Sequence, residues 1–200
     1  MNIKEALVNR RAVKNFDPDH EMTEAEIHSL MSHAILSPTA FNIQHWRFVQ
    51  VADVEKRQQI QVASWQQAQV CDASMLLVVC ADLNAWEKQP ERYWRNAPQA
   101  VQNFLLPAIA DYYTNHHQAQ RDECFRSASI AAMSIMLLAK EMGYDSCPMD
   151  GFDFDKVAKI INLPHDHIIT MMITIGKKKD NARPRAGQLP LDEVFTVDTF

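Results

Sequence analysis

Two cation-rich segments stand near the ends of an acidic chain, Arg10-Arg11-Ala12-Val13-Lys14 and Arg183-Pro184-Arg185. Arginine offers planar paired donors and lysine a point charge, the set a phosphate monoester dianion requires. The chain carries 20 Lys plus Arg against 25 Asp plus Glu, a formal charge of -5. Positive charge concentrated on that background indicates a local anionic ligand, and argues against the broad basic face nucleic acid requires. Taken alone, Arg10 and Lys14 also suit a basic helix C-terminus answering the macrodipole. Between the two segments, the turn Ser37-Pro38-Thr39-Ala40-Phe41-Asn42-Ile43-Gln44 supplies amides suited to reading a heterocycle. Together these features point to a bound nucleotide.

Other routes to such chemistry are poorly supplied. The only glycines are Gly143, Gly151, Gly176 and Gly187. Neither G-x-G-x-x-G nor G-x-x-x-x-G-K-[ST] can be written with them, so side-chain cations must hold most of a phosphate's charge. Cys71, Cys80, Cys124 and Cys147 form no C-x-x-C pair and read as reduced thiols used in packing. No Cys/His cluster has zinc-ligand spacing. His116-His117 and His165-Asp166-His167 read as solvated surface histidines. The run Lys177-Lys178-Lys179 reads as a solvated strand end, with attraction of a phosphorylated co-substrate as a second role.

The elements that must position these residues follow from pattern. A length of 200 residues with 47% hydrophobic and 22% charged residues is one globular domain, 1–200. No apolar run reaches the ~20 residues of a spanning helix, and no secretory signal is visible, so a cytoplasmic protein with no membrane partner is expected. Residues 2–10 predict a short helix. Thr23 to Glu26 is a capping box opening a second helix that Pro38 stops. Trp46–Val51 and Met75–Ala81 predict strands, and Asp53 caps a helix running to about Gln69. A stripe over 98–114 predicts a helix that Pro107 kinks or splits. Residues 121–142 predict a long helix, apolar nearly all round at 130–139, which must be buried on all sides in a core or against a subunit. Asp153 caps a helix through Ile161, Ile168–Ile175 is a strand, and Leu191–Phe200 reads as an extended arm. The sum is α+β, with about four strands and more helix than strand.

The order and content of the motifs resemble the FMN-dependent nitroreductase family of the NAD(P)H-oxidising type. Arg10-Arg11-Ala12-Val13-Lys14-Asn15-Phe16-Asp17 is similar to that family's opening. Ser37 to Phe48 is similar to its S-P-S-x-x-N-x-Q-P-W-x-F turn, and Cys147-Pro148-Met149-Asp150-Gly151-Phe152-Asp153 to its P-[MI]-[EGD]-G-F-[DE] segment. Ile175-Gly176, Arg183-Pro184-Arg185 and Leu191-Asp192-Glu193-Val194 resemble its ending. The resemblance spans almost the whole chain. It implies a nitroreductase-like fold, a central, mostly antiparallel sheet surrounded by helices, in an intertwined homodimer with FMN sites at the subunit interface.

By the same resemblance, Arg10, Lys14, Arg183 and Arg185 grip the FMN phosphate and ribityl chain, and Arg11 and Ala12 act largely through backbone groups. Pro38, Thr39, Ala40 and Asn42 come from the other subunit along the isoalloxazine, with Gln44 nearby. Gln66 and Gln69 fall against the pyrimidine edge. Asp150 and Gly151 offer backbone N–H groups near flavin N5, and Pro148 and Met149 line one ring face. Hydride then passes from NADH or NADPH through flavin N5 to a small-molecule nitroaromatic or quinone-type acceptor by a ping-pong mechanism. No catalytic side chain and no metal is called for, because the cofactor carries the chemistry. Ala12, Ala40 and His45 depart from the family's usual Ser, hydroxyl and Pro. The alternatives are ene reduction or dehalogenation on the same fold, a flavin-binding module without turnover, or a thiol hydrolase built on Cys147. Lys177 to Lys179, or Arg92 and Arg95, are the cations available to an NADPH 2′-phosphate.

Overall fold

Eight consecutive buried residues form strand β2 (Met75–Asp82), and burial on both faces places it inside a sheet. The computed structural model describes residues 1–199. Its four strands lie in the order β1 (Trp46–Val51), β2, β4 (His167–Gly176), β3 (Asp145–Met149), every neighbouring pair antiparallel. Side chains alternate across the pleat. Met75, Leu77 and Val79 of β2 pack with Leu30 of α2 (Glu24–Ala34) and Ala128, Ala132 and Ile135 of α6 (His117–Glu141). Leu76, Val78 and Cys80 pack on the other face with Ile60 of α3 (Val54–Ala63) and Val157 of α7 (Phe154–Ile160). The result is the α+β arrangement expected, helices on both faces of an antiparallel sheet. Truncating a fully buried member such as Ile135 to alanine is expected to cost about 2–5 kcal/mol.

Capping follows the sequence closely. Asn2 with Glu5 and Thr23 with Glu26 form capping boxes on α1 (Ile3–Asn9) and α2, and Asp53 and Asp153 cap α3 and α7. The strand β3 was not expected. It is short and contains Pro148, which an edge position tolerates because one side of the strand needs no donor.

Two expectations are corrected and two are narrowed. The third helix ends at Ala63, because Trp65 (φ 51°) and Gln66 (φ 60°) turn left-handed before a one-turn α4 (Gln69–Asp72). The helix α5 (Gln99–Tyr113) runs through Pro107 as one element, with Pro107 and Asn103, whose carbonyl loses its amide partner, both exposed. The apolar half of α6 is covered within the chain on one side, which leaves a subunit as the cover expected for the rest: Ala131, Ala132, Ile135 and Ala139 are buried, whereas Met133, Leu137 and Leu138 are half-buried and Ile130 is exposed. The tail forms a short helix α8 (Leu191–Val194) rather than an extended arm, with Leu191, Val194, Phe195 and Val197 exposed; Phe200 lies outside the described residues. Among the described residues, no helix is long and apolar enough to cross a membrane.

Candidate functional site

The two basic segments, more than 170 residues apart in sequence, meet because the first runs along β3 and the chain leaving β4 runs along the first. Helix α1 ends at Asn9, so Arg10 and Lys14 do not share a helical face; the chain continues extended instead. Ala12 bridges Ser146 in parallel, and the Val13 N–H donates to the Ser146 carbonyl at 3.1 Å. The Asp17 N–H donates to the Lys177 carbonyl at 2.8 Å and the Lys179 N–H to that of Asn15 at 2.9 Å. The chain leaving β4 is thereby laid beside the N-terminal segment. The Arg11 guanidinium donates to the Arg183 carbonyl. That of Arg185 donates to the carbonyls of Leu7 at 3.2 Å, Val8 at 3.3 Å and Arg10 at 3.3 Å, capping α1. Between the segments lies a cleft of about 560 Å³ lined by Arg10, Arg11, Ala12, Lys14, Arg183 and Arg185, among others.

Its electrostatics are unbalanced. Among the described residues, none of the five cations in this cleft forms an ion pair with a carboxylate. Asp180 is present, but its carboxylate accepts from the Asn15 amide at 3.0 Å. The Arg10 Nε is buried with no hydrogen-bond partner. Burial first, then the neighbouring Arg185 and Arg11 charges, push the Arg10 guanidinium below its ordinary pKa. Desolvation and like-charge repulsion are the costs that a bound dianion offsets, and the orphaned Nε is a donor waiting for one. The residues present therefore fit a phosphate group.

The Thr39–Gln44 turn is built separately. Phe41, Asn42 and Gln44 take left-handed φ values of 51°, 55° and 53°. The Gln44 N–H donates to Thr39 Oγ1 at 3.0 Å and the Asn42 amide to the Tyr93 carbonyl at 2.9 Å. The Ala40 N–H donates to Glu123 Oε1 at 3.2 Å, and that buried carboxylate also accepts from Ser127 Oγ at 2.8 Å and from Arg126. None of Pro38, Thr39, Ala40, Asn42 or Gln44 lines the cation cleft of its own chain.

At the end of β3, Pro148 and Asp150 are exposed, and Met149 is buried. Gly151 has a structural reason to be glycine: a Cβ there would stand 3.0 Å from the Trp65 ring. Gln67 Nε2 donates to the Gly151 carbonyl at 2.9 Å, so the Trp65–Gln67 turn and the Asp150–Gly151 turn form one unit. Gln66 is exposed, whereas Gln69 is 3% exposed and donates to Gln67 Oε1 at 2.9 Å; neither lines the cleft. Sequence reasoning missed Trp65, Gln67 and Glu123. Trp65 stands 70% exposed on left-handed backbone, where no periodicity marks it. Glu123 is a lone carboxylate among Cys124, Ser127 and Ala128, and that was the available signal.

Three of the thiols are buried, which disfavours the thiolate form. Burial pushes Cys80 and Cys124 up to about 12, and raises Cys147 despite the opposing Lys14 and Arg10 charges. His167 is not a solvated surface residue: its Nδ1 lies 2.7 Å from Asp166 and its Nε2 3.9 Å from Asp82. Asp82, Asp166 and His167 approach each other closely enough for a metal. Lys88 fills that role instead, its Nζ at 2.9 Å from both Asp82 oxygens and 2.6 Å from Asp166.

The nitroreductase family profile matches residues 7–177. Protein DrgA of Synechocystis is 48% identical, covering 98% of this chain and 96% of its own. MhqN of Bacillus subtilis, named as a candidate NAD(P)H nitroreductase, is 35% identical over 94% of this chain and 95% of its own. A candidate nitroreductase from Exiguobacterium sibiricum, solved in complex with FMN, superposes with a TM-score of 0.91 at 27% identity, covering 98% and 97% of the two chains.

Proposed function

The chain belongs to the nitroreductase family, and from that premise we propose that it is an FMN-dependent, NAD(P)H-oxidising reductase, one domain over residues 1–200. The observation that carries this reading is the cleft of carboxylate-free cations with the orphaned Arg10 Nε. Arg10, Lys14 and Arg183 hold the FMN phosphate, and Arg185 contributes while capping α1. Arg11 ties Arg183 in place, and Ala12, lacking a hydroxyl, offers backbone only.

The chemistry FMN supplies when bound is hydride relay from NADH or NADPH to a nitroaromatic or quinone-type acceptor, the two alternating at one ring face in ping-pong order. Asp150 and Gly151 would offer backbone N–H groups to the reacting edge of the ring, and Pro148 and Met149 would line one face. Trp65 and Gln67 pack against Gly151 from behind. Gln66, exposed and left-handed, would serve the pyrimidine edge, and Gln69 would act mainly by fixing Gln67.

Pro38, Thr39, Ala40, Asn42 and Gln44 serve the site of a second copy of the chain. Two features support that placement: the turn stands apart from its own cation cleft, and Ile3, Leu7, Val8 and Leu36 are exposed beside the half-covered face of α6. Glu123 holds the turn's frame through the Ala40 N–H.

The test is direct. Purified protein is expected to carry FMN, to bleach on addition of NADH or NADPH, and to recover on addition of a quinone. Absence of flavin, or flavin that neither nucleotide bleaches, would overturn the reading.

A further inference from the structure

We propose that the cleft formed by Gln44, Trp46, Arg47, Arg92, Tyr93 and Arg95 is a phosphate-monoester subsite that takes the 2′-phosphate of NADPH, so that this chain prefers NADPH to NADH. The inference rests on the proposed function above and names the nucleotide it uses.

The two groups of cations that the sequence offers for this phosphate are placed very differently. Lys177 Nζ donates to the Gly143 carbonyl at 2.8 Å and lies 3.9 Å from the Tyr144 ring centroid, and Lys178 Nζ donates to Asn181 Oδ1 at 2.9 Å. Lys177 and Lys178 are thus already engaged, and Lys179 is exposed and lines neither this cleft nor the terminal one. Arg92 and Arg95 are exposed and line a cleft of about 420 Å³ that begins at Gln44, the last residue of the flavin-facing turn. That volume lies within the roughly 300–1,000 Å³ of small-ligand clefts. The cleft is thus contiguous with the turn proposed to face the flavin.

The loop that carries the arginines is rigid. Gln89 is left-handed (φ 54°) and Pro90 opens the 3₁₀ turn Pro90–Tyr93. Tyr93 Oη donates to the Ala85 carbonyl at 3.0 Å, and its own carbonyl receives the Asn42 amide at 2.9 Å. The loop and the Thr39–Gln44 turn are therefore one unit, sharing an apolar cluster around Ile43, Ala85, Ile109 and Tyr113. The Arg92 guanidinium lies 4.7 Å over the Tyr93 ring and donates one N–H to Tyr93 Oη at 2.6 Å. Its remaining N–H groups are available in a fixed plane, the arrangement that binds phosphate bidentately.

Charge accounting leads to the same place. Arg47 reaches Asp82 at 3.4 Å, but Asp82 and Asp166 are also held by Lys88 at 2.9 Å and 2.6 Å. Those two carboxylates are matched by two cations within the cluster. Among the described residues, neither Arg92 nor Arg95 has a carboxylate within ion-pair distance, and the loop's Glu87 and Glu91 do not line the cleft. A 2′-phosphate brings the missing charge, whereas the 2′-hydroxyl of NADH leaves both guanidinium groups without an anion.

The experiment compares holoenzyme with an Arg92→Ala/Arg95→Ala variant, using NADPH and NADH at saturating quinone. It also titrates each protein with 2′,5′-ADP and with 5′-AMP by tryptophan fluorescence, for which Trp46 lines the cleft. Expected are an NADPH:NADH ratio of kcat/KM of at least ten in the wild type and at least a tenfold fall of that ratio in the variant, mainly through the KM for NADPH. Tighter binding of 2′,5′-ADP than 5′-AMP should disappear in the variant. A wild type without NADPH preference, a variant that keeps the ratio, or a Lys177→Ala/Lys178→Ala variant that loses it instead would overturn the assignment. Arginine-dependent 2′,5′-ADP binding without oxidation of either nucleotide would support the subsite and sink the proposed function.

Discussion

The terminal cleft and the Lys88 cluster both gather cations in an acidic chain, but on opposite terms. Lys88 touches three carboxylate oxygens of Asp82 and Asp166, and Arg47 and His167 approach the same pair. In the terminal cleft five cations converge and, among the described residues, none has a carboxylate partner and Arg10 Nε has no hydrogen-bond partner. Charges answered inside the fold become costly when one partner is removed, whereas charges gathered and left unanswered cost stability until a ligand arrives. The contrast predicts that mutations in the two regions move different observables.

The largest separation is expected from Arg10→Ala with Lys14→Ala. At about 1.5–3 kcal/mol per charge-assisted contact, FMN retention should weaken at least ~100-fold. Apo-protein stability in urea should hold or rise, because like charges are removed. Normal flavin content after dialysis would break the comparison at its strongest point.

Lys88→Met is the converse. Asp82, its side chain 3% exposed, keeps Arg47 at 3.4 Å, the Asn84 N–H at 3.0 Å and His167 at 3.9 Å, but loses its two shortest charged contacts. Taking a 40% exposed lysine away from a buried carboxylate is expected to cost about 1–3 kcal/mol, read as a lower urea midpoint with unchanged m-value. Flavin affinity should stay within about twofold, since the interactions lost lie outside the cleft.

How far these regions could be read from the sequence depends on whether their cause is local. The strand β2 was legible because seven apolar residues in a row, Met75 to Ala81, have few other uses, and Thr23 with Glu26 announced a helix start. The strand β3 was not, because Asp145-Ser146-Cys147-Pro148-Met149 has no alternation and becomes a strand only by pairing with β4 and bridging Ala12. The turn at Trp65 and Gln66 was hidden since neither is a glycine, although both are left-handed. For the site, residue type revealed the phosphate cations, but not that Arg11 and Arg185 spend donors on backbone carbonyls. Pairing across more than 170 residues leaves no local trace.

A third region sharpens the contrast by having a polar group with neither charge nor full partners. His45 is fully buried behind the Thr39–Gln44 turn with its Nε2 unpartnered, and burial lowers its pKa to about 4 from the ordinary 6.5. The folded state then refuses a proton that the unfolded state accepts. Stability is indifferent above pH 6.5, falls as pH drops toward 4, and levels off below; the loss amounts to about 3 kcal/mol. Phenylalanine at this position (His45→Phe) should flatten the difference in urea stability between pH 7 and pH 4.5. An equal slope in both proteins would show that other groups carry it.

The smallest effect belongs to Arg185, which stands between the two regimes. Its guanidinium faces the cleft but also accepts duty at the C-terminus of α1, where Leu7, Val8 and Arg10 offer carbonyls at 3.2–3.3 Å. A cation there is worth about 0.3–1 kcal/mol to the helix. Arg185→Ala should therefore lose a few tenths to one kcal/mol of stability and weaken FMN by less than Arg10→Ala does, because its donors are partly engaged before any ligand binds. Arg183→Ala, whose guanidinium has no such duty, should lose flavin without losing stability. If Arg185→Ala instead released FMN as strongly as Arg10→Ala at no cost to the apo-protein, the helix carbonyls would not be holding it, and the division between answered and unanswered cations would have to be redrawn.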